Sequence, residues 1–194
     1  MPIESLIAAP RKRAPCIVLI GMAGAGKSTV GGAIARALDW AFLDSDSIIE
    51  AIYGARLQTI ADTLGKDAFI DAECEIIRSL RINRAVIATG GSVVYRNAAM
   101  YHLTTLGPRV YLDAPFVVIE KRVAANPDRG LAIAPGQSLA DLFHERAALY
   151  NAWASIHCAV HADSPGECAW RIIRDLPPEV VGGVATARLR VLLP

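Results

Sequence analysis

The 194-residue chain has almost no net charge: 20 Lys and Arg against 19 Asp and Glu leave +1. That balance gives no electrostatic reason to expect nucleic acid or an anionic membrane surface as partner, and the run Arg11, Lys12, Arg13 is too short to change it. A long apolar stretch is missing too. The uncharged run 14–26 falls short of the roughly 18 apolar residues a membrane span needs and is interrupted by glycine. Residues 11–25 have the charged-then-apolar order of a signal peptide, but a strand entering a phosphate loop explains them better. Only four cysteines occur, Cys16, Cys74, Cys158 and Cys168, and no two form C-x-x-C, so neither a zinc site nor a disulfide framework is indicated and a reducing cytoplasm is expected. The four histidines, His102, His144, His157 and His161, show no metal-ligand spacing.

What the chain does have is apolar residue in short, punctuated runs: 53% of it is hydrophobic, enough for one well-packed domain. The run Cys16–Ile20 is β-branched and stops at glycine, as a buried parallel strand does. Val30, Ile34 and Leu38 recur at helical spacing behind it. Further strands are predicted at 40–43, 85–88, 109–112 and 157–161, with helical sequence between them, broken over 47–79 at Gly54 and Gly65. Ser138 with Asp141, and Ser164 with Pro165 and Glu167, mark two helix starts. Strands alternating with helices predict an α/β fold with parallel pairing through right-handed crossovers, a three-layer α/β/α sandwich with a five-stranded parallel sheet. The domain is expected over 1–176, with a lid near 124–137, and 177–194 as a tail that adds an edge strand or is disordered. The acidic residues Asp67, Asp71, Glu73 and Glu75, followed by Arg78 and Arg81, read as a solvated helix face oriented to suit the helix dipole.

Gly21-Met22-Ala23-Gly24-Ala25-Gly26-Lys27-Ser28 fits G-x-x-x-x-G-K-[ST] between a predicted strand and a predicted helix. Free backbone N–H groups and the helix dipole favour phosphate oxygens there, glycines let those amides approach, Lys27 adds positive charge, and the Ser28 hydroxyl can reach Mg²⁺. Asp44 and Asp46 follow the second strand and project toward the crevice where open α/β sheets bind ligands, though a helix cap would also explain either one. The chemistry indicated is ATP- and Mg²⁺-dependent phosphoryl transfer.

Residues 21–29 followed by Phe42-Leu43-Asp44-Ser45-Asp46 resemble the shikimate kinase family of P-loop kinases, a likeness that runs from Cys16 to about Leu176. It implies transfer of the γ-phosphoryl group of ATP to a hydroxyl of shikimate, a step of aromatic amino acid biosynthesis, by a cytoplasmic monomer. It implies nucleotide contacts from Gly24, Ala25, Gly26, Lys27, Ser28, Thr29 and Arg122, with Asp163 also near the adenine. Mg²⁺ would be held by Ser28 and Asp44, and the acceptor by Asp46, Gly90, Gly91 and Arg146. Lys27, Asp46 and Arg129, the last in the lid, would act on the reacting groups. One position departs from the pattern. Where the family carries a second carboxylate-binding Arg in a Gly-Glu-x-x-Phe-Arg-x-x-Glu segment, Gly65, Phe69 and Glu73 align but the Arg is Ile70. A different small hydroxy acid or amino acid such as homoserine therefore stays open as acceptor, as does a catalytically weak nucleotide-binding regulator. A regulatory GTPase would need Asn-Lys-x-Asp, which is absent, and a nucleoside monophosphate kinase would need more arginines for its phosphate acceptor.

Overall fold

Strand β1 (Ile17–Ile20) is wholly buried and lies at the centre of the sheet, which is why it reads as a continuous apolar run without alternation. A computed structural model describes residues 14–126, 131–133, 136–160 and 164–182. Around β1 stand β2 (Ala41–Asp44), β3 (Ala85–Ala88), β4 (Arg109–Asp113) and β5 (Ile156–Ala159), in the order β2-β3-β1-β4-β5 and all parallel. The predicted α/β sheet of five parallel strands is what the chain forms. Its ends shift by a residue or so. Trp40 drops out of the second strand because its N–H closes the end of the preceding helix on Ala35 O, after Asp39 turns the chain in the left-handed region.

The helices are α1 (Lys27–Leu38), α2 (Ser45–Tyr53), α3 (Leu57–Leu64), α4 (Lys66–Ser79), α5 (Asn97–Leu106), α6 (Phe116–Ala124), α7 (Leu139–Trp153), α8 (Pro165–Asp175) and α9 (Pro178–Val181). From β1 the chain moves to one edge of the sheet through α1. Later crossovers run the other way, so right-handed connection puts α4, α5 and α7 on the face opposite α1. Helix α8 returns to pack beside α1. The reversal of direction falls between β1 and β3, and open α/β sheets bind ligands outside the carboxyl ends of strands at such a point. Val30, Ile34 and Leu38 bury the face of α1 that their spacing predicts. The capping boxes Ser138/Asp141 and Ser164/Glu167 start α7 and α8.

Of the tail expected over 177–194, Pro178–Val181 forms a short helix whose Val180 and Val181 are buried in the main core, and 183–194 lie outside the described residues. One expectation is corrected. The acidic face of α4 is solvated only in part. Asp67, Asp71 and Glu75 are exposed and the first two face Arg96, but Glu73 is buried at 1% exposure. Arg81 lies beyond the helix, yet its guanidinium still donates to the Arg78 carbonyl at the helix end.

The main apolar cluster joins the sheet to both helix layers, and a smaller one, including Ile49, Ile60, Phe69 and Ile70, holds α2, α3 and α4 together. Ile34 has no exposed surface and belongs to the main cluster. Ile34→Ala should cost about 2 to 5 kcal/mol, through lost transfer energy and a residual cavity. A urea titration checks this, and a loss below about 1 kcal/mol would show that α1 is not clamped as described.

Candidate active site

The loop after β1 and the turn after β3 form the floor of one cavity of about 580 Å³, within the range of small-molecule sites. Gly26 holds φ at 103°, a left-handed value that costs a side-chain-bearing residue, and this turns the chain from loop to helix so that the first N–H groups of α1 open into the cavity. Lys27 is 8% exposed, and its Nζ donates to the carbonyls of Gly21 at 2.7 Å and Met22 at 2.9 Å. An ammonium has three donors, so one N–H remains for a phosphate oxygen. Burial lowers the Lys27 pKa to about 8, opposed by the carboxylates of Asp46, Asp44 and Glu73.

Asp44 ends β2 and caps α2. Its Oδ1 accepts from Asp46 N at 3.0 Å, and its Oδ2 accepts from Ser28 Oγ at 2.6 Å. Asp44 is thus the helix cap that the sequence allowed, and its carboxylate also touches the phosphate loop. Asp46, in the first turn of α2, lines the cavity. Among the described residues no group of three or more His, Cys, Asp and Glu side chains could hold a metal ion. The Ser28–Asp44 oxygen pair fits a hard divalent cation that takes most of its ligands from phosphate and water, as Mg²⁺ does.

Across the cavity, Gly90 donates its N–H to Ser45 Oγ at 2.8 Å, and Tyr150 OH donates to Gly91 O at 2.6 Å. Any Cβ at Gly90 would collide with Glu73 Oε1 and lie 2.7 Å from Asp46 Oδ1, so glycine is required by space. Arg146 on α7 is 1% exposed; its Nη2 donates to Ala132 O at 3.0 Å, its Nε to the Tyr95 hydroxyl at 3.3 Å, and its guanidinium lies over the Tyr95 ring. Arg122 borders the opposite end of the cavity with Val160 and Pro165, and its Nη1 donates to Gly24 O at 2.9 Å.

Of the residues singled out in the sequence, Gly24, Ala25, Gly26, Lys27, Ser28, Thr29, Asp44, Asp46, Gly90, Gly91, Arg122 and Arg146 all line this cavity. Arg129 and Asp163 lie outside the described residues. Leu57 and Phe69 also line it, whereas Ile70 is 2% exposed and packs in the smaller apolar cluster with Ala132. Sequence reasoning gave no site role to Glu73 or Ser92. Ser92 Oγ donates to Glu73 Oε2 at 2.5 Å, and burial, reinforced by the Asp46 charge, raises the Glu73 pKa to about 7. The missed signal was helical spacing: Glu73 lies four residues after Phe69 and three after Ile70, on the buried side of α4.

The shikimate kinase family profile matches residues 23–177. The shikimate kinase of Nitratidesulfovibrio vulgaris is 37% identical over 166 residues, which cover 82% of this chain and 92% of that protein. That of Chromohalobacter salexigens is 37% identical over 163 residues, 82% of this chain and 91% of that protein. The structure of "Shikimate kinase from Acinetobacter baumannii in complex with shikimate" superposes with a TM-score of 0.77 at 30% identity, covering 89% of this chain and 96% of that one.

Glu73 makes stability depend on pH. With a folded pKa of about 7 against an ordinary 4.5, the folded state keeps a proton that the unfolded state releases as pH rises between those values. Stability therefore falls across that window, and the whole penalty is present above it. Glu73→Gln cannot ionise and retains polar atoms for Ser92. Its stability relative to wild type should climb from about pH 4.5 to about pH 7 and then level off, as read from paired denaturation curves. A difference independent of pH would contradict the raised pKa.

Proposed function

The chain belongs to the shikimate kinase family, and from that premise we propose that it transfers the γ-phosphoryl group of ATP to a hydroxyl of a small carboxylate-bearing metabolite, shikimate being the first choice. The observation that carries the reading is the convergence on one cavity of a phosphate loop, the Ser28–Asp44 pair, Asp46 and a buried guanidinium. The amides that open α1 and the remaining N–H of Lys27 receive the β and γ phosphates. Arg122, Val160 and Pro165 border the adenine. Ser28 and Asp44 would hold Mg²⁺, which when bound neutralises charge on the phosphate oxygens.

On the acceptor side, Arg146 takes the carboxylate by exchanging its bond to the Ala132 carbonyl for a charge-assisted one, the stronger of the two. Gly90 and Gly91 leave room for the ring against the sheet ends, and Asp46 orients the hydroxyl and receives its proton. Arg129 enters the proposal from its sequence pattern, as a lid cation near the transferring group. One chain supplies every group named, so a monomer suffices. The four cysteines are buried and none is in a disulfide, which suits a reducing cytoplasm.

A second reading concerns the acceptor alone. Ile70 is packed among apolar side chains, so Arg146 is the one described guanidinium at the acceptor end. A smaller acceptor with one carboxylate, homoserine for instance, would be served by that arrangement. ADP release measured against shikimate, homoserine and related hydroxy acids separates the two. Lys27→Ala and Asp46→Asn should each lower turnover by at least about a hundredfold with the fold intact. Undiminished turnover at saturating ATP in either would remove the role assigned to it. With shikimate as acceptor, Ile70→Arg should lower KM roughly tenfold through a second clamp. With a smaller acceptor, the same change should instead depress turnover of that acceptor, because it places an unpaired charge in an apolar cluster.

A further inference from the structure

Tyr95 ends a single 3-10 turn, Val93–Tyr95, just after the Gly90–Gly91 floor of the cavity, and the reaction scheme above gives it no role. Its half-buried ring packs against the smaller apolar cluster, the one that holds Ile70 and Ala132. The Arg146 guanidinium lies over that ring, with Cζ 5.2 Å from the centroid, and its Nε donates to the Tyr95 hydroxyl at 3.3 Å. Tyr95 therefore meets the same cation by face and by edge. Having accepted from Nε, the hydroxyl still has its own proton to donate, and it is the leading cause that holds the neighbouring Glu145 carboxyl below the ordinary carboxylate range. Glu145 is itself fixed by Gln137, whose Nε2 donates to it at 2.6 Å. A guanidinium carries five N–H donors in a rigid fork, one on Nε and two on each Nη. Tyr95 takes the Nε donor and the Ala132 carbonyl one of those on Nη2, so the Nε–Nη2 edge is occupied. Nη1 lies beside Gly91, where an added Cβ would be 3.1 Å from it, and has no hydrogen-bond acceptor among the described residues. The end formed by Nη1 and Nη2 is thus the one turned to the cavity that Gly91 and Arg146 both line.

We propose that Tyr95 is a positioning residue for the acceptor clamp: by holding the Nε edge and one face of the Arg146 guanidinium, it presents Nη1 and Nη2 end-on to the acceptor carboxylate. When the carboxylate displaces the Ala132 carbonyl, Tyr95 is the anchor that stays. A carboxylate can pair with a guanidinium across Nε and Nη2 or across the two Nη groups, and an occupied Nε leaves only the second. With Ile70 in place of a second cation, the orientation of this one guanidinium decides how the carboxylate is held. An unanchored arginine would have to give up rotamer freedom on binding, which weakens the complex. The clamping role rests on the function proposed above, but the anchor itself can be read without turnover.

Two readouts test it. In the ¹⁵N-labelled full chain without ligands, the Arg146 Nε–H, assigned by its loss in Arg146→Lys, should exchange slowly with water. In Tyr95→Phe, which keeps the ring and loses the hydroxyl, that exchange should quicken at least about tenfold. In the kinase assay, Tyr95→Phe should raise KM for shikimate roughly tenfold, more than it lowers kcat, and leave KM for ATP unmoved. Tyr95→Leu, which removes the face contact as well, should raise it further. The methyl ester of shikimate keeps the hydroxyls and lacks the charge, so wild type and Tyr95→Phe should use it equally well. Should homoserine prove to be the acceptor, homoserine and its methyl ester form the corresponding pair. An Nε–H exchange rate unchanged in Tyr95→Phe, or a loss as large on the ester as on the acid, would overturn the proposal. If Tyr95→Leu fails to fold, Tyr95→Phe decides alone. Failure of the kinase reading would appear separately, as no ADP formed with any acceptor tried, and the Nε–H exchange would still decide whether Tyr95 anchors Arg146.

Discussion

The hydrogen bond from Ser28 Oγ to Asp44 Oδ2 joins the two halves of this site. On one side lie the phosphate loop and α1; on the other, the end of β2 and the start of α2. Because Asp44 also caps α2 through the Asp46 amide, the same carboxylate fixes the helix that presents Asp46. Displacing it would move the proposed metal position and the proposed acceptor carboxylate together. The strand order makes the bond possible. With β3 between β2 and β1, the loop after β1 and the end of β2 meet across the carboxyl end of β3, where Thr89–Ser92 supply the rest of the floor.

Holding these groups in place has a cost in stability. Lys27 and Glu73 are both buried, and both have pKa values moved toward their neutral forms. The Lys27 penalty is present below about pH 8 and fades as pH rises toward 10.5, the opposite direction to that of Glu73. Two buried groups of opposite sign therefore pull the stability profile in different pH windows. The main apolar cluster, which joins the sheet to both helix layers, offsets that cost, and this is consistent with the wholly apolar β1 and β3.

Much of this was legible in the sequence because it depends on local chemistry. The phosphate loop needs glycine at fixed positions, α1 shows its buried face by spacing, and both capping boxes are short motifs. The five parallel strands followed from alternation with helices and from handedness, whereas their order in the sheet is set by tertiary packing. Glu73 was not legible, since an acidic residue among acidic neighbours looks solvated until the tertiary fold places Gly90 and Ser92 over it. Ile70 was noticed as a departure from a pattern, but its burial beside Ala132 depends on a contact between α4 and residues more than sixty positions away. Pro178–Val181 is too short for periodicity to reveal, and its burial comes wholly from packing on the core.

In the proposed site Asp44 couples the nucleotide half to the acceptor half. Asp44→Asn isolates that coupling, because asparagine caps a helix about as well as aspartate and so leaves α2 in place while removing the charge. Turnover measured across a Mg²⁺ titration should fall at least about a hundredfold and should not recover at high Mg²⁺, with thermal stability close to wild type. Wild-type turnover in Asp44→Asn at saturating Mg²⁺ would contradict the account.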